Sequence, residues 1–292
     1  MKELNVSYYK EQLDAKEDML ARTTNFLAGI QQELELKNEA LSETQRDIFG
    51  SVSFAKIIQT SLQPDASLLK VFFKDALYTI KQQIGIGGDT IFIKSTNAGV
   101  FFGLLDATGH GIPAAMLSIS GSLILNELSF SLAVDNPKTL LELLNYRLFN
   151  TFNSNRQSVA HFEGTLFHYS YQSNKIAYCS ANGKALQIST LGEVKPLLIS
   201  KSSIGENQKV QLENFDLKFD VGDKLLLFSD GLVDQFGGQY DRKYMSSRLK
   251  KLLELNYKKS ASELSEIICH EHDAWKGTNK QTDDLSFKII EF

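Results

Sequence analysis

The chain has 292 residues, 42% hydrophobic and 23% charged, with a formal net charge of −4. That balance suits a globular domain plus an appendage, and it leaves no electrostatic footprint for nucleic acid. Cys179 and Cys269 lie far apart without ligand spacing and read as reduced thiols rather than a disulfide or zinc site. No secretory signal is visible, nor an apolar run of the ~18 residues needed to cross a bilayer. The expected location is the cytoplasm, with the chain either free or forming the cytosolic part of a longer sensor.

Before Pro64 there are two glycines, Gly29 and Gly50, and no proline. Leu13, Leu20, Leu27, Leu34, Leu41, Ile48, Ala55 and Leu62 recur every seven residues, with Val6 one step earlier. This is a coiled-coil seam. The second seam position is polar in one register (Glu17, Thr24, Gln31, Asn38, Gln45), which favours a register-tolerant pairing. A homodimer through residues 1–63 is expected; the alternative is a long helix packed on its own domain. Residues 51–62 are more apolar and are expected to dock on the globular part, which the reading assigns to residues 64–292.

After Pro64 the pattern becomes β-rich. Strands are expected at 90–94, 99–105, 165–171, 175–180, 186–190, 210–219, 224–228 and 285–290. Helices are expected at 113–130, 137–152, 243–255 and 261–275. Turn signals at Gln172-Ser173-Asn174 and Leu191-Gly192-Glu193 favour antiparallel hairpins. Strands in runs and helices in pairs argue an α+β layered domain rather than a doubly wound parallel sheet.

Four acidic signatures punctuate these elements: Gly87-Gly88-Asp89, Asp106-Ala107-Thr108-Gly109-His110-Gly111, Ser229-Asp230-Gly231 and Thr282-Asp283-Asp284. Apolar runs enter Asp106 and Asp230 and leave Asp284. Aspartates at the ends of buried strands can converge, and a buried carboxylate cluster is stable only around positive charge. Hard cations such as Mg²⁺ and Mn²⁺ suit carboxylate ligands. Two of them about 3.5–4 Å apart can activate water for attack on a phosphate ester, so no protein nucleophile is required. Consistent with this, the chain has no Gly-x-Ser-x-Gly elbow, Walker loop, Cys-x-x-Cys or His-Glu-x-x-His.

In this order the signatures resemble the PPM-type, metal-dependent protein Ser/Thr phosphatases, and more closely their bacterial SpoIIE-type branch. Asp106 through Ala114-Ala115, Gly222-Asp223-Lys224 and the lead-in segment 55–64 add to the likeness, which covers roughly residue 51 to the C-terminus. The resemblance implies a four-layer α-β-β-α sandwich of two mainly antiparallel sheets flanked by helix pairs, preceded by the coiled-coil helix. It implies Asp89, Asp106, Asp230 and Asp283 as catalytic, metal-ligating carboxylates for two Mn²⁺ or Mg²⁺ ions, with the Ala107 carbonyl as a backbone ligand. Asp106 would bridge the ions, and Asp230 and Asp283 would hold the second. The implied substrate is a phosphorylated STAS-type anti-sigma-factor antagonist in a partner-switching circuit.

Asp284 is expected to make a supporting hydrogen bond, and Asp234 is either an acidic site residue or a solvated acid at a helix start. His110 reads as a structural imidazole in a glycine-rich turn, the alternative being a general acid. Thr108 occupies the position of the acid histidine in the eukaryotic relatives. His161, His168, His270 and His272 show no convergent pattern.

The chain also departs from the branch. Thr90-Ile91-Phe92 follows Asp89 where an aromatic residue and a second acid are usual. Ala181-Asn182-Gly183-Lys184 replaces a glycine-histidine motif, and no arginine stands out as a phosphate clamp. These departures keep open a pseudophosphatase serving as a regulated protein-binding scaffold. A nucleotide-cyclase hairpin at Gly87-Gly88-Asp89 is a third reading, which Thr90-Ile91 and the lack of a nucleotide loop disfavour.

Overall fold

The computed structural model describes residues 2–131, 134–154 and 160–292. Helix α1 spans Lys2–Ser61, and the chain divides within it into two compact units, Met1–Phe54 and Ala55–Phe292. In the first unit the seam side chains Leu13, Leu20, Leu27, Leu34, Leu41 and Ile48 are all exposed. The Val6 side chain lies outside the described residues.

The second unit is built on two antiparallel five-stranded sheets. One contains β1 (Asp75–Lys81), β6 (Lys184–Ile188), β7 (Val194–Pro196), β9 (Lys224–Phe228) and β12 (Leu285–Glu291), in the order β1-β12-β9-β6-β7. The other runs β2-β3-β4-β5-β8. Its members are β2 (Thr90–Ser95), β3 (Gly99–Ala107), β4 (Phe162–Ser170), β5 (Ile176–Ala181) and β8 (Asn214–Leu217). Helices α2 (Gly111–Ser131) and α3 (Pro137–Leu148) cover the second sheet. A four-residue α4 (Gly231–Asp234) leads to the ribbon of β10 (Phe236–Gly237) and β11 (Arg242–Lys243). Helices α5 (Ser246–Asn256) and α6 (Ala261–Lys276) cover the first sheet.

Alternation along the strands sorts side chains into three cores. Leu225 and Leu227 of β9, Ile290 of β12 and Phe102 and Leu104 of β3 pack between the sheets. Phe101 and Leu105 turn outward against Leu117 and Leu125 of α2 and Leu144 of α3. Leu226, Phe228, Phe287 and Ile289 turn outward against Leu249 and Leu253 of α5 and Ile268 of α6. Three cores separate four layers. Because helices cover both outer faces, these strands read as continuous apolar runs although their pairing is antiparallel.

Most expected elements stand within a few residues of their sequence limits. The strand expected at 210–219 shrinks to Asn214–Leu217, and the helix expected at 137–152 closes its last turn as a π-turn at Phe149–Asn153. Strand β1 was not expected, because its burial does not alternate and so lacks the period-2 signature. Over Gly111–Phe130, α2 is long and apolar enough to cross a membrane, with half of that window buried. Serines and Glu127 interrupt it, so a search for an unbroken apolar run passes it over. Its buried half packs on the second sheet, as in a core helix of a globular domain.

Candidate metal centre

The four aspartates arrive at one edge of the sandwich, two from each sheet. Asp89 immediately precedes β2, and Asp106 is the penultimate residue of β3; the pairing of Thr90 with Leu105 sets them side by side. Asp230 follows β9 by two residues and Asp283 precedes β12 by two, with Phe228 paired to Phe287. Lys81 at the end of β1 pairs with Leu285, which delivers the loop leading to Asp89 to the same edge. The Ala107 carbonyl faces this loop, since a Cβ on Gly88 would come within 2.6 Å of its oxygen.

The electrostatics of this edge are adverse to bare carboxylates. Asp89 is buried, and neither carboxylate oxygen has a hydrogen-bond partner among the described residues. Burial pushes its pKa up to about 8, with the charges of Asp284 and Asp230 adding to the rise and the nearby Ser229 and Ser286 hydroxyls opposing it. Burial pushes Asp106 up to about 10, reinforced by Asp89, Asp230 and Asp283 and opposed by Lys184. Asp283 is raised by burial and by its acidic neighbours, against the pull of His110. Such a cluster holds protons unless cations replace them.

The side chains share an edge without closing a shell. Among the described residues no group of three or more His, Cys, Asp or Glu side chains is already gathered around an ion position. The donor set nonetheless fits hard divalent cations: all oxygen, mostly carboxylate, with two orphaned buried oxygens on Asp89.

Asp284 faces inward. Its Oδ1 accepts from the Gln83 N–H at 2.8 Å and its Oδ2 from the Gly88 N–H at 2.7 Å. Glycine is required around it, because a Cβ on Gly87 would sit 1.8 Å from Oδ2 and one on Gly231 2.0 Å from the Asp284 carbonyl. Asp284 therefore braces the loop that carries Asp89. His110 is exposed in the turn before α2, close enough to Asp283 and Asp284 to oppose the rise of their carboxyls. Asp234 pairs with Lys243 at 2.8 Å. Thr108 Oγ1 donates to the His161 carbonyl and accepts from its N–H at 3.0 Å. His168 and His272 are buried, and His272 lies beside the Gly231 backbone that follows Asp230.

Sequence reasoning missed Gln59, Ser118 and Lys184. The Gln59 amide, buried at the end of α1, donates to the Gly87 carbonyl at 2.6 Å and to Ser118 Oγ at 2.7 Å. Its Oε1 accepts from Gln82 Nε2 at 2.6 Å and from the Gly87 N–H at 3.3 Å. The Ser118 hydroxyl of α2 also meets the Gly87 carbonyl, at 3.1 Å. Gln59 lies in the lead-in segment 55–64 that carries part of the likeness, but no local signal gives it or Ser118 a role. Lys184 carried a signal only as a departure from the expected glycine-histidine motif.

The profile of the family described as Stage II sporulation protein E (SpoIIE) matches residues 96–292. Among solved structures, the SiaA-PP2C domain of Pseudomonas aeruginosa is similar, with a TM-score of 0.76 and 20% identity, over 85% of this chain and 98% of that one. The PP2C phosphatase domain with a fragment of the regulatory domain of SpoIIE from Bacillus subtilis gives a TM-score of 0.58 and 15% identity, over 75% of this chain and 63% of that one. RsbX in complex with magnesium gives 0.50 and 20%, over 74% of this chain and 94% of that one. At these identities the likeness establishes the α+β sandwich. No match to a curated protein sequence was found.

Proposed function

The chain belongs to the SpoIIE family, a bacterial branch of the PPM-type protein serine/threonine phosphatases, and we propose that it uses two divalent cations held by Asp89, Asp106, Asp230, Asp283 and the Ala107 carbonyl. The observation that carries this reading is the convergence of four aspartates from both sheets on one edge, with Asp89 and Asp106 pushed up to about 8 and about 10. When bound there, Mn²⁺ or Mg²⁺ supplies charge neutralisation for phosphoryl oxygens and an acidified water as nucleophile. The chain's own residues hold the geometry: Asp284 and Gln59 fix the Gly87–Asp89 loop from opposite sides.

The proposed substrate is a phosphorylated protein of the STAS-type antagonist class, and the proposed location is the cytoplasm. Likeness to RsbX, to the RsbU and RsbW domains of a Mycobacterium tuberculosis protein and to a bacterial stressosome structure supports a signalling setting. Control is assigned to the N-terminal helix acting as a dimeric coiled coil. A shift of its final turns would move Gln59 and, through the Gly87 peptide, the loop that carries Asp89.

The test is phosphate release from a phosphoserine protein with Mn²⁺ and with EDTA, on wild type and Asp106→Asn. Expected is metal-dependent turnover that falls at least about 100-fold in the variant, because the central charged ligand is gone. The scaffold reading keeps one supporting observation: Phe92, where a second acid is usual, is buried in the apolar core under α2 and offers no carboxylate. Absence of turnover in wild type at millimolar Mn²⁺, with partner binding retained, would favour that reading.

A further inference from the structure

We propose that Lys184 is the group that grips the phosphate of the substrate. Lys184 opens β6 and pairs in register with Phe228 of β9, two residues before Asp230. Its Nζ lies 3.8 Å from Asp230 Oδ2, and both side chains are a little over one-third exposed. The two residues line one cleft together with Asp106, Glu163 and Asn182. The ammonium also acts on Asp106, where it opposes the rise that burial and the other carboxylates impose. Lys184 thus brings positive charge to the mouth of an acidic edge.

The backbone beneath Lys184 is held firmly. A Cβ on Gly183 would come 2.3 Å from the Gly164 carbonyl carbon, so the β5–β6 connection lies tight against β4. Asn182 donates from its side chain to Glu163 Oε1 at 3.2 Å, and its N–H donates to the Ser200 carbonyl at 3.0 Å. A flexible four-carbon arm therefore stands on a fixed base. At 3.8 Å its contact with Asp230 is a loose ion pair rather than a directed hydrogen bond. With Asp106 and Asp230 holding divalent cations, these carboxylates would no longer pull on the ammonium. The next anion to enter the cleft is the phosphoryl dianion, and an ammonium at the cleft wall meets it with a charge-assisted hydrogen bond. Lys243, a second lysine near Asp230 among the described residues, is engaged with Asp234 at 2.8 Å.

This inference rests on the phosphatase reading for its substrate, and its test is independent of turnover. Inorganic phosphate is titrated calorimetrically into the Mg²⁺-loaded full chain of wild type, Lys184→Ala and Lys184→Arg, and Mg²⁺ affinity is measured separately for each. The alanine variant is expected to bind phosphate about 10- to 100-fold more weakly, with the arginine variant recovering most of the loss. Mg²⁺ affinity is expected to hold or to tighten in Lys184→Ala, because a cation near Asp230 is removed. Unchanged phosphate binding in Lys184→Ala would overturn the proposal, as would undetectable binding in wild type. A parallel loss of Mg²⁺ binding would also overturn it, since Lys184 would then serve only to orient Asp230. Absence of turnover in wild type, with phosphate binding lost on Lys184→Ala, would count against the phosphatase reading alone.

Discussion

Lys288 stands on β12 among the residues that fill the space between the sheets, fully buried, with Nζ 5.5 Å from the centre of the Phe102 ring. Among the described residues no hydrogen-bond partner reaches that nitrogen. Burial holds its pKa well below the usual lysine value, so the folded chain favours the neutral amine more than the unfolded chain, which protonates it below about pH 10.4. Stability from this site is therefore lost as pH falls from the unfolded pKa toward the folded one. Lys288→Met is expected to stabilise the protein at pH 7 by roughly 1–4 kcal/mol. The gain should shrink as thermal melts are moved from pH 7 toward pH 10.5. A gain independent of pH would mean that the amine is charged or satisfied in the fold. The four metal-ligand candidates were legible as single residues because each sits in a short acidic signature, beside glycine in three of the four. Lys288 was not, since a lysine inside an apolar run looks like any strand residue with one side in water.

Among the elements, the last turns of α1 connect most directly to the site. Gln59 occupies a polar step of a helix whose exposed residues give no hint that its amide is buried against Gly87 and Ser118. Truncating it leaves the Gly87 N–H short of an acceptor and its carbonyl with the Ser118 hydroxyl alone. Gln59→Ala is expected to raise the Mn²⁺ concentration for half-maximal activity about tenfold and to lower stability by roughly 1–2 kcal/mol. An unchanged metal midpoint alongside a lowered melting temperature would show that the contact is structural only. The strands were easier to read than this contact. Apolar residues on both faces of β3, β9 and β12 produce long hydrophobic runs, whereas β1, partly buried along most of its length, does not.

At the scale of the molecule, unit 55–292 contains all three cores, while the described side chains of the first unit up to Phe54 are exposed or nearly so. A stripe of six leucine and isoleucine seam residues left in water is unfavourable by itself, and a second copy is the proposed cover. Deleting residues 1–50 is therefore expected to convert a dimer into a monomer by light scattering. The melting transition of the catalytic unit should be kept, because its cores do not draw on the deleted part. Turnover is expected to change with the oligomeric state. Identical mass and turnover in the two forms would remove the coiled coil from the control of the enzyme.

The sequence by itself determined the layered α+β class, the seven-residue apolar repeat and which acidic residues are candidates for the site. Each of these depends on local periodicity or on a motif only a few residues long. Only the tertiary structure decided that Asp284 turns inward to brace the Gly88 peptide, that Gln59 reaches Gly87 across 28 positions of chain, and that Lys184 stands beside Asp230. Those contacts join residues from different strands and helices. Their partners are set by sheet register and by the close packing of glycine backbones, which no single stretch of sequence encodes.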